Sequence, residues 1–217
     1  NGAHGGDGSV ATTLTNLPAG VTIGLGSGTS GSNDSYKSTA TISLKDATGS
    51  SDSLNVDLSP RAGGNGDITA VLVADGIETL NIADSTAGLD ATLDVSGFKA
   101  SSIVLTGGKT GELIDLSVGA SVTLAAETTS VDASAFDGVL TVTAATETNT
   151  TVTAKTGGGT ITGGNGTDSI TIGSSAAHIG STNVGTVVGG SGSDTLTLYA
   201  AASADLEAVT GVETINV

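Results

Sequence analysis

Two stretches constrain this chain more than any others. They are Gly163-Gly164-Asn165-Gly166-Thr167-Asp168-Ser169-Ile170-Thr171 and Gly189-Gly190-Ser191-Gly192-Ser193-Asp194-Thr195-Leu196-Thr197. Both fit Gly-Gly-x-Gly-x-Asp-x-U-x, where U is a large apolar residue. The glycines admit the positive φ angles of a tight turn. The x-U-x triplet reads as a short strand with its apolar residue turned inward. One such unit buries almost nothing, so it must stack on others of the same kind.

The residue types also carry chemistry. A tightly turning backbone points carbonyl oxygens inward, and Asp168 or Asp194 adds a carboxylate. Ca2+ is a hard cation that takes six to eight oxygen ligands. One turn supplies too few, so the ion is expected between two stacked turns. The expected metal residues are Gly163, Gly164, Gly166 and Asp168 in one turn, and Gly189, Gly190, Gly192 and Asp194 in the other. Three acidic turns are further candidates: Asp7 in Gly5-Gly6-Asp7-Gly8, Asp52 in Ser51-Asp52-Ser53, and Asp67 in Pro60-Arg61-Ala62-Gly63-Gly64-Asn65-Gly66-Asp67. The last resembles the nine-residue turn with one residue removed.

Composition fits a stacked β architecture. The chain has 217 residues, enough for one large domain or two small ones. It has 34 Gly and 2 Pro, and its aromatic residues are Tyr36, Tyr199, Phe98 and Phe136. A solenoid needs few aromatics, because ladders of Val, Ile, Leu and Ala fill its narrow core. Against 22 acidic residues stand 6 Lys and Arg, a net charge of −16. That charge argues against nucleic acid, which needs basic patches, and against contact with anionic lipid. It suits a protein partly neutralised by divalent ions. With no Cys there are no disulfides and no thiolate catalysis. No apolar run is long enough to span a membrane, and no signal peptide is visible. The absence of Met marks the chain as a processed product or a segment of a longer protein.

Taken in order, residues 1–60 read as a β-rich N-terminal region. Val21–Leu25, Thr39–Leu44 and Leu54–Leu58 alternate apolar and polar residues, as half-buried strands do. Short Gly, Ser and Asn connections predict antiparallel pairing there, in a small sandwich-like unit. Residues 61–217 read as a β-solenoid of parallel rungs, with the calcium turns at 157–197. Short strands recur at Ser102–Leu105, Leu113–Leu116, Val122–Leu124, Val139–Val142 and Thr151–Thr153. Two internal repeats accompany them. One is Gly76-Ile77-Glu78-Thr79-Leu80-Asn81-Ile82, matched by Gly211-Val212-Glu213-Thr214-Ile215-Asn216-Val217. Glu78 and Glu213 there are either buried partners of backbone amides or calcium ligands between modules. Each repeat follows an acidic strand, Asp52-Ser53-Leu54 or Asp194-Thr195-Leu196. The other repeat is Asp94-Val95-Ser96-Gly97-Phe98 with Asp132-Ala133-Ser134-Ala135-Phe136. Its two Phe residues are expected to plug the core. The one helical signal is Ala200–Val209, with Ser203 as a cap.

The Gly-Gly-x-Gly-x-Asp turns resemble those of RTX proteins, which Gram-negative bacteria export by type I secretion. Together with the Gly-x-Glu-Thr and Asp-x-Ser-x-Phe repeats, they resemble the RTX subgroup that forms crystalline surface layers (S-layers). Related repeats occur in RTX adhesins. The resemblance covers most of 45–217 and implies a right-handed, calcium-filled β-roll, secreted and held at the cell surface, that self-assembles into a lattice. In the RTX pattern, turns on one side of the roll recur every 18 residues. Gly163 and Gly189 are 26 apart, so one half-turn, Ile172 to Val188, is longer. The expected partners are copies of the chain, with cell-surface polysaccharide engaged through regions outside it. The alternative is a repeat segment of an RTX adhesin or biofilm-matrix protein. A third reading is a non-catalytic β-roll appended to a polysaccharide-active enzyme. No catalytic residue is expected. Lys37, Lys45, Arg61, Lys99, Lys109 and Lys155 do not cluster in sequence, His4 and His178 read as surface residues, and the sequence names no catalytic partner that would make Tyr199 a general base.

Overall fold

In the computed structural model the described residues are 10–25, 36–58, 68–84, 90–108, 113–116, 124–125, 127–144, 149–155, 157–173, 184–199 and 204–217. Strand follows strand: β1 (Val10–Leu17), β2 (Thr22–Leu25), β3 (Tyr36–Leu44), β4 (Ser53–Leu58), β5 (Ile68–Ala74), β6 (Thr79–Asp84), β7 (Ala91–Phe98), β8 (Ser102–Gly107), β9 (Leu113–Asp115), β10 (Ser130–Phe136), β11 (Val139–Thr143), β12 (Thr151–Ala154), β13 (Thr160–Gly164), β14 (Ser169–Ile172), β15 (Thr186–Gly190), β16 (Thr195–Leu198), β17 (Val209–Thr210) and β18 (Thr214–Asn216).

The odd-numbered strands form one nine-stranded sheet and the even-numbered strands another. Each pairing joins strands two apart in sequence, and each is parallel. A parallel pair needs a crossover. Here the crossover is a strand of the opposite sheet, so two strands complete one coil and the chain is a two-sheet β-solenoid.

Alternation decides which side chains fill it. In β5, Ile68, Ala70, Leu72 and Ala74 point inward and are buried. Across the even sheet, register aligns Leu54, Leu80, Ile103, Val131, Val152, Ile170, Leu196 and Ile215 in one apolar column. All but Ile215 are buried. Burying each contributes about 1.5–3 kcal/mol, so the ladder replaces the aromatic core of a compact domain.

The antiparallel, sandwich-like arrangement expected for the N-terminal strands does not form. β1 pairs parallel with β3, and β2 parallel with β4. β3 pairs with β5 and β4 with β6, so both sheets run on past residue 60. The helix expected at Ala200–Val209 is absent from its described part. Residues 204–208 form a bridge and a turn, closed by Val209 N donating to Leu206 O at 3.1 Å. Residues 200–203, with Ser203, lie outside the described residues, as do Val122 and Thr123.

Phe98 and Phe136 are buried as expected, but they belong to different sheets, on β7 and β10. Asp94 Oδ1 accepts from both Ser96 N (3.0 Å) and Ser96 Oγ (2.6 Å). Asp132 Oδ1 accepts from Ser134 N at 2.9 Å. Register shifts occur at both places. The Asp-x-Ser-x-Phe repeat is thus a β-bulge that re-aims the chain so that Phe returns inward.

Candidate cation site at the stacked corners

Each even strand is entered through a corner residue, and register stacks these corners. The strands begin with Ser53, Thr79, Ser102, Ser130, Thr151, Ser169, Thr195 and Thr214, which pair in sequence. The preceding residues are Asp52, Glu78, Ser101, Thr129, Thr150, Asp168, Asp194 and Glu213. Both nine-residue motifs place their aspartate in this column, and their U residues, Ile170 and Leu196, in the apolar column beside it.

The two motif turns lie directly on one another. Gly164 pairs with Gly190, and Ser191 N donates to Gly164 O at 2.8 Å. Gly192 has φ +139, and a side-chain carbon there would lie 1.8 Å from Gly166 O. Backbone packs on backbone, and only glycine fits. The turns at 163–168 and 189–194 are therefore adjacent coils on one side of the solenoid, as their composition predicts. The strands flanking the longer half-turn end at Ile172 and resume at Thr186; residues 174–183 lie outside the described residues.

Carboxylates link coil to coil. Thr150 N donates to Asp168 Oδ1 at 2.8 Å, and Asp168 N donates to Asp194 Oδ1 at 2.8 Å. Asp194 N donates to Glu213 Oε2 at 2.7 Å. Thr167 N donates to Asn149 Oδ1 at 2.8 Å, which ties the first motif turn to the coil before it. Asp168 and Asp194 are 2% and 1% exposed. Each uses Oδ1 in this chain, while its Oδ2 is buried with no hydrogen-bond partner.

Those second oxygens face specific neighbours. A side-chain carbon on Gly163 would lie 2.4 Å from Asp168 Oδ2 and 2.4 Å from Gly189 O. The two oxygens are therefore at most twice that distance apart. One coil later, a carbon on Gly189 would lie 2.7 Å from Asp194 Oδ2 and 1.9 Å from Gly211 O. In both places an orphan carboxylate oxygen meets a carbonyl of the next coil across the bare face of a glycine. Burial pushes the Asp168 carboxyl above its ordinary value, the Thr150 amide opposes this, and the Asp194 charge adds to the rise. Among the described residues the ion pairs are Lys99 with Asp75, and Lys155 with Asp137. Neither reaches these corners.

An unpartnered buried carboxylate oxygen is costly. A hard cation that takes backbone and carboxylate oxygens relieves that cost, so the donor set suits calcium. The donors are one carboxylate per turn plus carbonyls. Among the described residues no group of three or more His, Cys, Asp or Glu side chains is placed to hold a metal.

Asp52 occupies the same column, and its Oδ2 is also buried without a partner. Asp7 and Asp67 lie outside the described residues, with His4 and His178. Glu78 and Glu213 accept backbone amides, from Asp52 N and Asp194 N, both at 2.7 Å. The contributions of Asn149 and Thr150 do not stand out in the sequence, and Gly211 stands out there only as part of the Gly-x-Glu-Thr repeat. The corner column itself has a readable signal: every even strand from β4 to β18 opens with an acidic or hydroxyl residue, then Ser or Thr, then Leu, Ile or Val. Compared with known protein families, curated protein sequences and solved structures, the chain finds no match in any of the three.

Proposed function

We propose that this chain is a structural, calcium-dependent segment of an extracellular surface layer of the RTX type, which self-assembles with copies of itself on the cell. The observation that carries the calcium part is the repeated corner: Asp168 Oδ2 beside Gly189 O, and Asp194 Oδ2 beside Gly211 O, with neither Oδ2 accepting a hydrogen bond. Gly163, Gly164, Gly166 and Asp168 form one wall, and Gly189, Gly190, Gly192 and Asp194 the other. Bound calcium supplies positive charge between them.

The chain's own residues explain why folding depends on that charge. Asp168 and Asp194 are linked corner to corner and repel each other. Their turns are rich in glycine, which loses the most backbone freedom on ordering. A site absent from the unfolded chain couples ion affinity to stability. Extracellular calcium modules have dissociation constants of roughly 10⁻⁴ to 10⁻³ M. An affinity in that range leaves the acidic turns open where calcium is scarce and closes them outside the cell.

The lattice part is supported by the architecture. A quasi-one-dimensional stack presents long lateral faces, and the net charge of −16 favours divalent bridges between copies over direct contact. The same stack suits a bead in an RTX adhesin, and that is the second reading. The deciding experiment is a calcium titration of the purified protein, followed by circular dichroism and negative-stain microscopy. Gain of β signal with ordered two-dimensional sheets is expected. Rods or monomers with the same gain favour the adhesin reading. No response to calcium overturns both.

A further inference from the structure

The Gly-x-Glu-Thr turn occurs twice, and the two copies make the same contacts with the coil before them. Glu78 Oε2 accepts from Asp52 N at 2.7 Å, and Glu213 Oε2 accepts from Asp194 N at 2.7 Å. Asp52 O accepts from Glu78 N (2.9 Å) and Thr79 N (3.1 Å); Asp194 O accepts from Glu213 N (3.2 Å) and Thr214 N (3.0 Å). Gly76 and Gly211 both have positive φ, +70 and +60. A carbon on Gly76 would lie 2.8 Å from Ala47 O, and one on Gly211 would lie 3.0 Å from Gly190 O. Each glycine thus rides over a carbonyl of the preceding acidic turn. In both acidic turns the aspartate Oδ2 is buried and unpartnered. It faces a glycine of its own turn. A side-chain carbon on Gly189 would lie 2.7 Å from Asp194 Oδ2, and one on Gly49 would lie 2.8 Å from Asp52 Oδ2.

We propose that the Gly-x-Glu-Thr turn is the closing half of a divalent-cation site. The chain then carries one such site where Asp194 meets Gly211 and Glu213, and a second, outside the nine-residue motifs, where Asp52 meets Gly76 and Glu78. This rests on the calcium reading of the motif turns. Asp194 carries the inference furthest: it is 1% exposed, and its free oxygen lies by the Gly211 carbonyl. Asp52 repeats the amide contact to the glutamate and the unpartnered Oδ2 in a turn of different sequence, Asp46-Ala47-Thr48-Gly49-Ser50-Ser51-Asp52. That turn is held closed by Asp46 Oδ1, which accepts from Thr48 N (3.2 Å) and Thr48 Oγ1 (2.7 Å). Asp52 and Asp194 supply the ligand oxygen. Glu78 and Glu213 are positioning residues. Each pins the backbone amide of its aspartate, which holds that residue's Oδ2 in place to meet the ion.

The test is calorimetric titration of the chelator-treated chain with calcium chloride. Asp52→Asn is expected to bind one ion fewer than the parent and to leave the remaining ions unchanged in affinity. Glu78→Ala is expected to weaken the Asp52 ion by roughly tenfold or more, the loss of one hydrogen bond to a charged acceptor. Glu78→Gln keeps an acceptor oxygen and should restore most of that affinity. A variant-free readout accompanies these: on adding calcium to the parent, the amides of Asp52 and Asp194 should both gain protection from hydrogen exchange. A parent that binds calcium, with unchanged stoichiometry in Asp52→Asn and no protection at Asp52, overturns the second site and leaves the motif turns intact. A parent that binds no calcium overturns the calcium reading itself, and this inference with it.

Discussion

The corner column has two chemistries, and their contrast is informative. At Ser101 and Thr129 the corner is hydroxyl. Ser101 Oγ donates to Glu78 O at 3.0 Å, and Thr129 Oγ1 donates to Ser101 O at 3.4 Å, while the neighbouring Thr128 Oγ1 donates to Ala100 O at 2.6 Å. At Asp168, Asp194 and Glu213 the corner is acidic, and the direction reverses. Each carboxylate accepts the backbone amide of the preceding coil. Both chemistries hold one coil to the next. The hydroxyl version does so without placing charge inside the protein and without leaving an oxygen unpaired. Coil stacking alone therefore does not call for carboxylates at Asp168 and Asp194. Their second oxygens are the surplus that the cation reading accounts for.

The largest effect should be common to both regions. Ile103 and Leu196 stand in one apolar column, beside a hydroxyl and an acidic corner respectively. Ile103→Ala and Leu196→Ala should each destabilise the calcium-loaded protein by about 2–5 kcal/mol in urea unfolding. If only one of them does so, the two regions do not share a core and the comparison of corners fails.

The next effect should change sign with calcium. Asp168 has a raised pKa in the fold, so the folded chain holds its proton more tightly than the unfolded chain does. Without an ion, its contribution to stability is most favourable below the ordinary carboxylate value of 3.8. That contribution is lost as pH rises from there through the raised value. Asp168→Asn, which keeps an acceptor for Thr150 N, should flatten this part of the pH profile in chelator and stabilise the protein near neutral pH. In calcium the same substitution should be destabilising. Melting temperatures of both proteins, with and without calcium across pH, check the reversal. The same direction of change in both conditions would separate Asp168 from ion binding.

The smallest effect belongs to the hydroxyl corner. Ser101→Ala removes one hydrogen bond to Glu78 O and should cost about 0.5–1.5 kcal/mol. The cost should be equal with calcium and with chelator. A calcium-dependent cost would mean that the ion's influence extends to this corner.

The sequence shows the faces more clearly than the partners. Alternation in Thr39–Leu44 and Leu54–Leu58 identifies the buried side of each strand, and that side is correct. Alternation does not state strand direction. Short connections suggest hairpins, whereas each connection crosses to the opposite sheet. Ala204–Ala208 is rich in residues that favour helix, yet the chain turns there to enter the strand at Val209, and tertiary structure prevails. The stacking of Gly163 and Gly189 is legible from the shared nine-residue motif, even though their spacing of 26 exceeds the 18 of the RTX pattern. The corner column is legible as a recurring triplet but not as a repeat of fixed length, because coil lengths are uneven: Thr150 and Asp168 are 18 apart, and Ser101 and Thr129 are 28 apart. No fixed period reveals it. The choice between amide partner and calcium ligand for Glu78 and Glu213 is not written in the sequence either, because it depends on where Oε2 points. Both accept amides.

The central claim is that calcium orders the acidic corners and leaves the hydroxyl corners as they are. Hydrogen exchange measured peptide by peptide, in calcium and in chelator, tests it most directly. The account predicts a large gain in protection across 163–194 with calcium, and little change across Ser101 to Phe136. Equal protection of both regions in the two conditions would contradict it.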